Sequence, residues 1–70
     1  MAYEDALPTA LRVERARIKL TQQQVATATG ITAASLCSYE NGERMPTLQT
    51  LSRLADFYNT SLDKLMGRSK

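Results

Sequence analysis

Between Thr21 and Asn41 the chain reads TQQQVATATGITAASLCSYEN, two short helical stretches hinged on one glycine, and that spelling leaves few folds open. The Thr21 hydroxyl can cap the free amides that open a helix, and Gln24 can return the bond to complete a capping box. A helix is therefore expected from Gln22, with Val25 and Ala26 as a small apolar face and Ala28 permitting close approach. Gly30 can take the left-handed conformation that ends a helix and turns the chain, so the helix closes at Thr29. Ile31 fills the corner between two axes, and Thr32 caps a second helix running to Asn41. In that helix Leu36 and Tyr39 fall on one side, while Ala33, Ala34, Cys37 and Ser38 mostly turn the other way. One side packs and the other, made of small residues, is left bare.

Seventy residues permit a single domain, 1–70, because so short a chain buries only about three-fifths of its extended surface. One cysteine and no histidine exclude a disulfide framework and a zinc site, so no metal is expected and stability must come from helix packing and from dimerisation. No apolar run is long enough to cross a bilayer, and MAYEDALPT lacks the basic start and apolar stretch of a secretion signal. A cytoplasmic protein is expected, and a lone reduced thiol agrees with that compartment. The net charge of +2 is a weak argument for a polyanionic partner. Its distribution says more: Arg12, Arg15, Arg17 and Lys19 crowd the first helix, Arg44 follows the bare-sided helix, Arg68 and Lys70 end the chain, and Ile31 to Gly42 carries no cation.

The remaining elements are helical too. A first helix is expected over about 6–18, starting near Asp5 or Ala6, with Pro8 in its opening turn and Leu7, Leu11, Arg15 and Ile18 along one stripe. Pro46 closes a loop, and Thr47 caps a helix over 48–58 whose Leu48, Leu51, Leu54, Ala55 and Tyr58 share a face. Ser61 caps a last short helix over 62–66, and Gly67 ends it. The fold class is all-α, a compact five-helix unit. Nothing in it reads as catalytic: there is no nucleophile paired with a base, no metal constellation and no Gly-rich phosphate loop, so neither an enzyme, a cofactor nor a small-molecule ligand is expected.

From Leu11 to Leu65 the chain resembles the lambda-repressor-like (XRE or Cro-type) helix-turn-helix DNA-binding family: an arginine in helix one, LTQ, VA, GI, the S-x-x-x-x-ENG-x-x-x-P run and the closing SLDKL. The resemblance implies double-stranded DNA as partner and a transcriptional regulator, most often a repressor, acting as a homodimer on a palindromic operator. The alternative is a protein-interaction module of the same fold, of the antitoxin or antirepressor kind. By family position the base-reading residues are Thr32, Ala33, Ala34 and Ser38, joined by the Ser35 hydroxyl. Phosphate contacts fall to Gln22, to Asn41 with the amides around Gly42, and to Arg12, Lys19 and Arg44. Arg15 on an apolar stripe needs an acid, and Glu40 of the ENG run is its implied partner.

This chain departs from the pattern in one respect. Alanine cannot form the bidentate contacts that single out adenine or guanine, so Ala33 and Ala34 can offer only apolar contact, most naturally to a thymine methyl. Cys37, beside them, reads as a small packing residue, since nothing cationic adjoins it to activate the thiol. The apolar candidates for a dimer surface are Phe57, Leu62 and Met66, and a chain closing soon after SLDKLMG reads as a self-contained domain.

Overall fold

Every helix after the first is opened, and the described helices are closed, by groups within a few residues of their ends, and those local devices position the elements. A computed structural model describes residues 3–67, with side chains from residue 6 onward, as α1 (Tyr3–Arg17), α2 (Gln22–Thr29), α3 (Ala33–Asn41), α4 (Leu48–Tyr58) and α5 (Leu62–Leu65). Among the described residues there is no strand, and no helix is long and apolar enough to cross a membrane. The expectations for Arg68 and Lys70 lie outside the described residues.

The openings follow one rule. Thr21, Thr32, Thr47 and Ser61 adopt extended backbone, and each side-chain oxygen accepts from the amide three residues on. At Thr21 the capping box is complete, with the Thr21 amide donating to Gln24 Oε1 at 2.8 Å. The closings of α1 to α4 also follow one rule. Lys19, Gly30, Gly42 and Asn59 have φ of 60°, 75°, 78° and 56°, and the next residue's amide reaches back five residues, as in Leu20 to Arg15 and Glu43 to Ser38. At Gly42 the positive φ alone favours glycine, since an added Cβ would meet the ring of Pro8 at 3.4 Å, an ordinary van der Waals contact.

Three of these ends differ from the expectation, one of them at α5, which stops at Leu65 rather than Met66. α1 begins at Tyr3, which carries Pro8 past the opening turn into the helix, where its ring forgoes one backbone bond. It also ends at Arg17 rather than Ile18, because Lys19 takes the left-handed position that glycine usually fills.

α3 packs on α1 and α2, α2 on α4, and α5 on α1 and α4. The core inside this arrangement holds Leu7, Leu11, Val25, Leu36, Tyr39, Leu51, Leu54, Ala55, Tyr58 and Leu65, with Ile18, Ile31, Phe57, Leu62 and Met66 against its edge. The expected apolar face of α4 stops short of its first residue. Leu48 is 70 % exposed, because it stands at the outermost turn beside Glu43, Arg44, Met45 and Thr47, all of them exposed.

A charged group, Glu14, lies inside near the end of α1. Glu14 is 6 % exposed, and its Oε1 accepts from Arg17 Nε and Nη2 at 2.9 and 2.7 Å, while the same Nη2 donates to the Tyr58 carbonyl at 2.8 Å. This pair ties the end of α1 to the end of α4. The Tyr58 phenol, buried nearby, is pushed up to about 12, first by burial and then by the Glu40 charge.

The backbone at Lys19 offers a direct test of this architecture. A non-glycine residue held left-handed costs on the order of 1 kcal/mol, partly offset by the greater unfolded freedom of glycine. Lys19→Gly is therefore expected to raise stability by about 0.5 kcal/mol in urea unfolding. A loss of stability would show that the lysine side chain, not the turn, governs that position.

Candidate nucleic-acid interface

The bare side of α3 exists because its other side is fully used. Leu36 and Tyr39 go to the core, and Glu40, one turn beyond Leu36, is buried as well. Ala34 is exposed, and Ala33, Ser35, Cys37 and Ser38 are half-buried, so none of the small residues is covered by the core. Nine residues at about 1.5 Å each make α3 a rod roughly 13 Å long. Its diameter, about 10–12 Å for a helix with side chains, suits a DNA major groove about 12 Å wide. The Thr32 oxygen is occupied at the cap, accepting from the Ser35 amide at 3.1 Å, which leaves its own O–H as the free donor.

Glu40 organises the neighbourhood. Arg15 Nε donates to its Oε2 and Arg15 Nη2 to its Oε1, both at 2.9 Å, in a bidentate pair, while Arg15 Nη1 donates to the Leu20 carbonyl at 3.0 Å. One guanidinium thus joins α1, α3 and the turn into α2. The Glu40 side chain is 1 % exposed and that of Arg15 23 %. The hydrogen bond to Glu40 raises the Arg15 pKa above its ordinary value, against the opposing cost of burial.

The residues expected to contact phosphate, Gln22 and Asn41 from the resemblance and Arg12, Lys19 and Arg44 from their charge, have specific settings. Gln22 Nε2 donates to Glu40 Oε1 at 3.0 Å. Arg12 is exposed but engaged, with Nη1 donating to the Glu40 carbonyl and Nη2 to Thr9 Oγ1, so it caps the carboxyl end of α3. Asn41 is exposed and donates to Cys37 Sγ at 3.4 Å, and Gly42, not Asn41, is the left-handed cap of α3. The Arg44 guanidinium lies 5.7 Å from the Tyr39 ring centre, a cation–π contact at the end of the helix. Lys19 is exposed on its turn.

Sequence reasoning did not find the Gln22 bond to Glu40. Eighteen residues separate the pair, and no local spacing signals it. The support of Arg12 by Thr9 does carry a local signal, their three-residue spacing along α1.

Two short helices joined at a left-handed glycine, the second with its small-residue side open, form a helix-turn-helix. Residues 11–65 match the helix-turn-helix family, and the chain belongs to that family. It is 42 % identical over 55 residues to the cryptic phage CTXphi transcriptional repressor RstR of Vibrio cholerae serotype O1, covering 79 % of this chain and 49 % of that protein. It is 42 % identical over 48 residues to the HTH-type transcriptional regulator AnsR of Bacillus subtilis, covering 69 % of this chain and 41 % of that protein. The chain thus spans about half the length, or less, of these curated relatives. No solved structure gives a significant match.

The Arg15–Glu40 pair has an asymmetric weakness. Arg15→Met leaves a buried carboxylate without its cation and is expected to cost about 3–5 kcal/mol, whereas Glu40→Gln leaves a guanidinium that still reaches solvent and is expected to cost about 1–2 kcal/mol. Chemical denaturation of both variants checks this, and equal losses would show that the pair does not control the burial of Glu40.

Proposed function

We propose that this chain is a sequence-specific DNA-binding regulator of transcription, a repressor acting as a homodimer on a two-fold operator in the cytoplasm. The observation that carries the reading is the uncovered small-residue side of α3, held between a threonine cap and a glycine cap on a helix-turn-helix frame. RstR, named as a transcriptional repressor, and AnsR, named as a transcriptional regulator, point the same way.

In this reading α3 enters the major groove with Thr32, Ala33, Ala34, Ser35 and Ser38 toward the bases. Gln22 and the amides at the start of α2 meet phosphate on one side. Asn41, Gly42 and Arg44 meet it on the other, with Arg12 and Lys19 adding charge from α1 and its turn. The two alanines make direct base contacts few, so discrimination rests on thymine methyls, hydroxyls, bridging water and the shape of the duplex. Half-sites about one helical turn apart follow from dimer symmetry.

One observation favours a second reading, a protein-interaction module. From Ile31 to Gly42 there is no cation, so α3 itself brings no charge to attract a polyanion. Substituting Ala33 and Ala34 with glutamate separates the two: phosphate repels the new charges and DNA binding is lost, while a basic protein partner tolerates them.

A gel-shift titration across salt tests the class. The logarithm of affinity is expected to fall by about 0.9 per neutralised phosphate for each tenfold rise in salt, and Arg44→Ala to reduce that slope. Affinity independent of salt would contradict a DNA partner.

A further inference from the structure

We propose that Glu40 is a positioning residue for DNA binding, orienting the Gln22 amide so that its nitrogen and not its oxygen serves the phosphate. The inference rests on the DNA reading above and deepens it. A glutamine amide has two ends of nearly equal shape, one donating and one accepting, and in water it presents either. Facing a phosphate, only the nitrogen end attracts.

Glu40 removes the choice. Its carboxylate is buried, locked by two bonds from Arg15, and can only accept. Gln22 Nε2 therefore turns to Glu40 Oε1, at 3.0 Å, because the flipped amide would set oxygen against oxygen. The second hydrogen of that nitrogen has no partner among the described residues and is the one left for a phosphate oxygen. Arg15 is needed in the same arrangement, since an unpaired carboxylate behind Gln22 would repel the strand. The Glu40 carbonyl meanwhile holds Arg12, so two of the phosphate candidates are set by one residue that does not itself reach the surface.

A double-mutant cycle on affinity tests the assignment, with a duplex selected by the wild-type chain from a random pool as the probe and folding followed by circular dichroism. In the wild-type background Gln22→Ala is expected to weaken binding about tenfold, the worth of one hydrogen bond to a charged group. In the Glu40→Gln background, where the amide is free to flip, the same change is expected to cost less than about twofold. Stability effects alone do not produce this difference, because they leave the cost of Gln22→Ala equal in the two backgrounds, and equal costs overturn the positioning role. If Glu40→Gln fails to fold, Gln22→Asn keeps the ion pair intact and is one methylene too short to reach Glu40. It is expected to bind as weakly as Gln22→Ala, and wild-type affinity in that variant overturns the proposal. Selection of no duplex by the wild-type chain overturns the DNA reading and this proposal together, whereas selection followed by equal costs overturns the positioning role alone.

Discussion

The bidentate contact between Arg15 and Glu40 is the interaction on which the arrangement of this protein depends. A carboxylate taken out of water is tolerated only when its oxygens are satisfied, and here Oε1 and Oε2 both accept from the same guanidinium. Because that guanidinium also donates to the Leu20 carbonyl, α1, α3 and the entry to α2 are fixed relative to one another by a single group. Apolar packing of Leu11, Val25 and Leu36 supplies the greater part of the burial, but it is non-directional. The ion pair sets the angle and register at which α2 and α3 meet α1.

That constraint explains why α3 can leave one side open. A nine-residue helix has too few positions to serve two masters equally, and this one commits Leu36, Tyr39 and Glu40 inward. The rest are small, so nothing on the outer side competes for the core. Small residues also let a duplex approach closely, at the expense of the long polar side chains that read bases by paired hydrogen bonds. Affinity in the proposed complex then comes mainly from the groups at the two ends of the motif, and sequence preference from shape and water. The positioning of Gln22 by Glu40 belongs to the same economy, since a neutral side chain contributes fully only if it is held in the right orientation.

What was legible in the sequence was whatever acts over three to five residues. Thr21, Thr32, Thr47 and Ser61 announce their helices because a cap and its target amide are close in the chain, and Gly30 and Gly42 announce turns because only a few residues adopt a left-handed backbone cheaply. Lys19 was invisible as a terminator for the same reason, as lysine is not expected at that conformation. Leu48 read as core because periodicity reports a face but not where neighbouring helices cease to cover it. The bond from Gln22 to Glu40 depends on a contact made only once the chain has folded, and a single sequence holds no local trace of it. The pairing of Glu14 with Arg17, by contrast, has a local signal in its three-residue spacing, and only the burial of Glu14 does not. The pairing of Arg15 with Glu40 was reachable, because an arginine on an apolar stripe demands an acid and the resemblance indicated which.

The central claim is that the open side of α3 is where duplex DNA sits. Mapping amide chemical-shift changes on adding a selected duplex addresses it most directly. The account predicts the largest changes from Thr32 to Ser38, with further changes at Gln22 and around Asn41 and Gly42, and little at α5. Changes centred on α5 and the exposed side of α1 around Val13, with α3 silent, would contradict it.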